Sequence, residues 1–157
     1  MGIDGDLYQF VKVLHILAVI IGFGGTFIAA FYGAESTKRP GAEGLAIAES
    51  TLKVTGLVPT MSVYSVPILG ILLILLSDDL FKFSEPWISL SFLLYIVLTV
   101  LAVAVQVPTI RKMVAARGQG GSAADTERMA KTVGVTGGIV NLLWIVILFL
   151  MVFKPGQ

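Results

Sequence analysis

The sequence predicts an all-α integral membrane protein, an antiparallel four-helix bundle built as two similar helical hairpins. Three observations predict it. Charged residues make up 13% of the 157 residues, about half the roughly 25% of soluble domains, and mean hydropathy is +0.92. Charges are also segregated. Uncharged blocks of 22, 24, 25 and 22 residues separate Lys12 from Glu35, Lys53 from Asp78, Glu85 from Arg111, and Lys131 from Lys154. Each exceeds the ~20 helical residues that cross a ~30 Å hydrocarbon core. Finally, 8 of the 11 basic residues fall in two alternate connections, as the positive-inside rule requires of a chain that crosses an even number of times.

The first span, about residues 7–32, carries His15, Ala18, Gly22, Gly25 and Ala29 at heptad-like spacing. They form one narrow stripe at 100° per residue. Small residues there let another helix approach closely, and Gly25-x-x-x-Ala29-x-x-x-Gly33 is a small-xxx-small series of that kind. The connection from Gly33 to Lys53 opens with Pro40-Gly41 and regains helical spacing at Leu45, Ala48, Leu52 and Gly56. The second span, 55–76, contains Pro59, Pro67 and Gly70. Prolines at these points commonly kink a membrane helix. A short loop from Ser77 to Pro86 leads to the third span, 87–108.

The connection from Arg111 to Lys131 is interrupted by Gly118-Gln119-Gly120-Gly121, and Ser122 with Asp125 gives an S-x-x-D helix start. No Gly-Lys-Ser/Thr follows those glycines, so they read as a flexible linker and not a phosphate loop. The fourth span is 134–153. Val54-Thr55-Gly56 and Val135-Thr136-Gly137 mark matching points of the two hairpins. With Lys38, Arg39, Lys53, Arg111, Lys112, Arg117, Arg128 and Lys131 facing the cytoplasm, both termini lie outside a bacterial inner membrane. Asp4 and Asp6 precede the first apolar run, where a cleaved signal would carry Lys or Arg.

Composition excludes several functions. There is no cysteine, which removes disulfides, iron–sulfur clusters and thiolate zinc sites. A net charge of +1 offers no nucleic-acid face. No Asp or Glu lies within a span, so a carboxylate proton relay is not expected. The expected partners are the lipid bilayer and either further copies of the chain or a larger membrane complex.

One residue stands out. His15 is the single histidine, and an imidazole in hydrocarbon needs a hydrogen-bond partner or a metal. Lys12 lies one turn before it. Counting places His15 roughly 12 Å below the outer end of its helix, at 1.5 Å per residue. Pro67, Gly70, Tyr95 and Trp144 fall at the same depth, with Asn141 one turn nearer the middle. Tyr64, Ser65 and Thr99 are further hydrogen-bonding candidates, and a His–Tyr or His–Asn contact between helices is the plain structural solution.

The run Lys12-Val13-Leu14-His15-Ile16-Leu17-Ala18-Val19, with Gly22-Phe23-Gly24-Gly25, resembles the opening helix of a group of small bacterial inner-membrane proteins. That group includes the copper-resistance protein D family and the cytochrome-b-like protoporphyrinogen oxidases. Pro86-Trp87-Ile88, Val107-Pro108 closing helix three, and Leu150-Met151-Val152-Phe153-Lys154-Pro155 resemble a neighbouring family of four-helix membrane proteins of unknown function. The first resemblance implies haem b held by His15, with Lys12 beside it. This chain has Gly22 where those members carry a tryptophan, and supplies no second histidine. The other iron ligand would be a second subunit's histidine, Tyr95 or a methionine. Trp144, at the same depth, completes the candidate cofactor site. The residues themselves favour a non-enzymatic accessory or assembly subunit. The alternatives are the haem-linked role and transport of a small solute or metal ion, which two like hairpins would suit.

Overall fold

The computed structural model describes residues 2–39 and 41–156, with the side chains of Val54 and residues 57–60 left aside. These described residues form helices and turns, with no strand among them. Helix α1 spans Asp6–Lys38 and α2 spans Gly41–Leu75. Then α3 (Pro86–Val100), a π-helical segment (Leu101–Gln106) and α4 (Val107–Gly118) run on as one rod, and α5 (Ala123–Phe153) completes the chain. The rod Pro86–Gly118, α1 and α5 are each long and apolar enough to cross a membrane, and α2 contains the apolar stretch Met61–Leu75.

The polarity of α1 shows how the helices are arranged. Tyr8, Val11, Ala18, Gly22, Ala29 and Ser36 are buried, whereas Ile16, Leu17, Ile20, Ile21, Phe27 and Ile28 are exposed. Small residues face protein and large apolar ones face outward. Lipid inverts the soluble pattern in this way, because acyl chains solvate Ile and Leu while close backbone approach drives helix association. Gly22 is the tightest point. A Cβ there would lie 2.8 Å from Ser62 Oγ and 3.1 Å from Trp144 Cζ2, so α1, α2 and α5 meet at a position only glycine fits. Around that junction, Ala18, Val66, Tyr95, Leu98, Ala102, Val140, Trp144 and Ile147 form the core.

The helices run further than the expected connections allow. Residues 41–53 and 123–131 are helical, as the spacing of Leu45, Ala48 and Leu52 and the Ser122 start predict, and 33–38 and 111–118 are helical as well, so each connection shrinks to a few residues. Local charge pairing explains the first extension. Glu35 pairs with Lys38 at 3.4 Å and with Arg39 at 3.2 Å, and Arg39 also pairs with Glu43. Such i,i+3 and i,i+4 pairs support exposed helix ends. Pro40, expected to open this connection, lies outside the described residues. Ser122 does occupy the N-cap position of α5, but its hydroxyl makes no capping bond.

Val107-Pro108 was expected to close helix three; instead the chain continues as α4. Pro108 has no N–H and crowds the carbonyl four residues back. The preceding turn widens to π geometry, with Val107 N–H reaching Ala102 O, and the helix survives. In α2 the backbone stays helical through Pro67, while the side chain of Pro59 is outside the described set.

The two chain ends lie near the turn between α2 and α3. A Cβ on Gly156 would lie 3.6 Å from Pro86 Cγ, and one on Gly2 would lie 3.8 Å from Asp78 Oδ2. Arg117 of α4 reaches the Ser36 carbonyl at 3.3 Å, closing the other, basic end.

Candidate functional site

His15, Lys12, Tyr95 and Trp144 line one cavity of about 490 Å³, together with Pro67 and Gly70. The structure therefore gathers the residues that helix counting placed at one depth. They arrive from four elements: His15 and Lys12 from α1, Pro67 and Gly70 from α2, Tyr95 from α3, and Trp144 from α5. The volume falls within the ~300–1,000 Å³ of small-molecule sites. Walls of Val19, Val66, Leu73, Ile88 and Ile147 make it strongly apolar.

Gly70 seats the imidazole. Its missing Cβ would stand 3.4 Å from His15 Cε1 and 3.9 Å from Nδ1, so the ring rests against the backbone of α2. Nδ1 is buried and has no hydrogen-bond partner of normal geometry, although the Val66 carbonyl faces the ring. The expected His–Tyr or His–Asn contact is not made. Tyr95 O–H donates instead to the Ser62 carbonyl at 2.7 Å, and Asn141 Oδ1 accepts from Thr26 Oγ1 at 3.1 Å. Both candidate partners are engaged with nearer groups. Tyr64 is exposed, Ser65 donates back to Met61 O, and Thr99 Oγ1 is buried beside the Tyr95 hydroxyl without a bond of normal geometry.

Two indoles share the histidine's situation. Trp87 and Trp144 are 5% and 3% exposed, and neither Nε1 has a partner among the described residues. Both line the cavity. Tyr95 and Trp144 meet edge to face at 5.7 Å, and Phe81 and Trp87 do so at 5.6 Å. Among the described residues the cavity thus holds two indole nitrogens without a partner and an imidazole Nδ1 with no bond of normal geometry, faced by the Val66 carbonyl.

Lys154 was not foreseen as part of this site. Its Nζ sits 4.4 Å from the Phe81 ring centroid and 5.7 Å from that of Trp87, while Lys12 Nζ lies 5.6 Å from the Tyr8 ring. Both lysines line the cavity, and no Asp or Glu does. Trp87 and Met151 were likewise missed as lining residues.

A fit to haem can be tested on these groups. His15 offers one imidazole. Tyr95 has its hydroxyl committed to Ser62, and an indole N–H donates but cannot ligate, which leaves Trp144 as a wall. Met151 is the remaining soft donor in the lining. Among the described residues there is no cluster of three or more His, Cys, Asp or Glu side chains.

A second cavity, about 1320 Å³, opens at the basic end and is lined by Ser36, Thr51, Thr55, Gln106, Arg117 and Asn141 among others. Gln106 sits there at the end of the π segment, 6% exposed, packed where Gly137 lacks a side chain. Nearby, the Arg39 guanidinium, then Lys38, holds the Glu35 carboxyl below its ordinary range.

Residues 9–155 match the family described as "Predicted integral membrane protein (DUF2269)". The chain belongs to that family. No curated protein and no solved structure gives a match. For this DUF2269 protein, membership agrees with the long apolar helices, and every residue lining the pocket around His15 except Tyr8 lies within the matched residues.

Proposed function

We propose that this DUF2269 protein is a non-enzymatic accessory subunit of the bacterial inner membrane that holds an apolar, acceptor-bearing ligand in the His15 pocket. In this reading it is an antiparallel four-helix bundle of two hairpins with spans 7–32, 55–76, 87–108 and 134–153. Both termini face outward, and the basic connections face the cytoplasm. The distribution of Lys and Arg supports that orientation. The ligand would be passed to, or shared with, further copies of the chain or a larger complex.

One observation carries the reading: His15 Nδ1, Trp87 Nε1 and Trp144 Nε1 are buried and unpartnered around one apolar cavity. Each such group costs about 1–3 kcal/mol when left unsatisfied. A ligand with carbonyl-type acceptors offsets that cost, and a purely hydrocarbon ligand does not. Binding is favoured over catalysis because the lining offers donors and no carboxylate to pair with them.

Both tryptophans of the chain face the pocket, so native emission reports its occupancy. A lipid-soluble, uncharged quinone should quench that emission saturably in nanodiscs, and His15→Leu or Gly70→Leu should make the quenching linear. Linear quenching in the wild-type protein would overturn the reading.

A second reading is haem b, supported by the bare imidazole and by the resemblance of the first helix to haem-binding proteins. Haem would supply one-electron chemistry. In that case His15 holds the iron, Met151 is the second donor at hand, and the two lysines face the acidic edge of the group. Protein purified in mild detergent should then show a Soret band that His15→Ala abolishes. Colourless protein from haem-replete cells rules this reading out.

A further inference from the structure

Lys12 and Lys154 have no carboxylate within ion-pair distance among the described residues. Each is held against an aromatic face instead: Lys12 on Tyr8, Lys154 on Phe81 and Trp87. The difference matters. A carboxylate would neutralise the ammonium, whereas a ring quadrupole positions it and leaves its full charge available. Lys154 is fixed further by its backbone, which takes the left-handed conformation at the end of α5, φ 44°, with N–H bonded to Leu150 O.

Beside the lysines, Trp87 presents its unpartnered Nε1. Two cations and a bare N–H therefore belong to the lining of one apolar chamber, with Lys154 beside the Trp87 ring. The chamber also has a side entrance. Ile16 and Ile20 of α1, and Leu148 and Val152 of α5, line the cavity and are exposed on the outer surface. Below that level the two helices close where Gly22 meets Trp144. The α1–α5 seam is thus open towards the acyl chains of the bilayer at the depth of His15, and sealed beneath it.

We propose that the pocket takes a single-chain acidic lipid from the bilayer, entering between α1 and α5, with its anionic head clamped by Lys12 and Lys154. Trp87 Nε1 donates to the same head. The chain lies along the apolar walls, as far as His15 and Trp144. This names the ligand class of the pocket proposed above and rests on that reading.

The test uses full-length protein in nanodiscs of uncharged phospholipid, with cis-parinaric acid and its methyl ester as probes, read by energy transfer from Trp87 and Trp144. The acid should bind roughly 30-fold more tightly than the ester, from about 1 kcal/mol per lysine at tenfold per 1.4 kcal/mol. Lys12→Gln with Lys154→Gln should erase that preference, so that acid and ester bind alike. Lys12→Arg with Lys154→Arg should keep it. The charge-conserving pair also guards against misfolding, since it preserves the cation–π seats.

Acetate and inorganic phosphate should not displace the acid; displacement by either would assign the clamp to a water-soluble anion and overturn the bilayer source. Equal affinity for acid and ester in the wild type overturns the clamp and leaves the pocket standing. Failure of both probes to bind removes the pocket reading as well.

Discussion

The two ends of the molecule treat buried polarity in opposite ways. At the basic end the larger cavity is lined with hydroxyls that satisfy themselves. Ser36 donates to Gly33 O, Thr51 to Ile47 O, and Thr55 to Thr51 O. A short side chain on a helix can fold back onto the carbonyl three or four residues before it. At the His15 end the Ser91 and Tyr95 hydroxyls also find backbone carbonyls, but an imidazole and two indoles line the same cavity, and their rings hold their nitrogens away from their own helix. They depend on a partner from elsewhere: among the described residues neither indole has one, and the imidazole has only the Val66 carbonyl facing it. Unmet demand for hydrogen bonds marks a site better than the number of polar residues does.

The sharpest way to break this comparison is to disturb the junction between the two ends. Gly22→Leu puts a side chain where a Cβ alone would meet Ser62 and Trp144. It should destabilise the protein by about 3 kcal/mol, the upper range for overpacking. Gly24→Leu, where nothing lies within 4 Å of the added Cβ, should change stability by less than about 0.5 kcal/mol. Reversible unfolding in mixed detergent measures both. Equal effects would mean that the glycine seam does not set the packing.

A smaller effect of opposite sign tests the unmet demand itself. His15→Leu removes a buried nitrogen without a partner and keeps an apolar side chain against Gly70. Ligand-free protein should gain about 1 kcal/mol, the lower range for relieving an unsatisfied group, while losing quinone quenching. Such a trade of stability against function is expected at a binding site. Loss of stability in the ligand-free state would show that the imidazole is already satisfied.

Tyr95→Phe probes a hydroxyl at this end that bonds from one helix to another. It removes the 2.7 Å bond to the Ser62 carbonyl, and bonds of this kind between membrane helices contribute about 0.6–2 kcal/mol. The destabilisation should fall in that range, with ligand binding retained. If Tyr95→Phe instead abolishes binding with stability intact, the phenol belongs with the ring nitrogens and faces the ligand.

Much of this was legible in residue order. The uncharged blocks locate the apolar stretches, and the stripe from His15 to Ala29 identifies the inward face of α1, because small residues recur with helical period. Counting from the helix ends grouped His15, Pro67, Gly70, Tyr95 and Trp144. The helical returns after Gly41 and Ser122 were legible, but the extensions 33–38 and 111–118 were hidden because charges break a hydropathy pattern without breaking a helix, as Glu35 and Lys38 illustrate. Pro108 misled for a related reason: a π turn absorbs the missing donor, and nothing in the local sequence specifies that solution. The lysine pair was missed because Lys12 and Lys154 lie at opposite ends of the chain, and their aromatic seats exist only after folding.

The weakest effect belongs to the charges of the basic end. Glu35 has its carboxyl held below the ordinary range by Arg39 and then Lys38, so any stability it contributes is present above the ordinary carboxylate pKa. That contribution is lost as pH falls through the lowered value. The group is open to solvent, and screening leaves exposed pairs little influence. Unfolding curves of the wild type and Glu35→Gln should therefore superimpose at about pH 7 and stay together down to about pH 4. A clear separation at neutral pH that closes on acidification would make the basic end depend on fixed charge. The contrast between the two cavities would then rest on electrostatics, and not on which side chains can reach their own backbone.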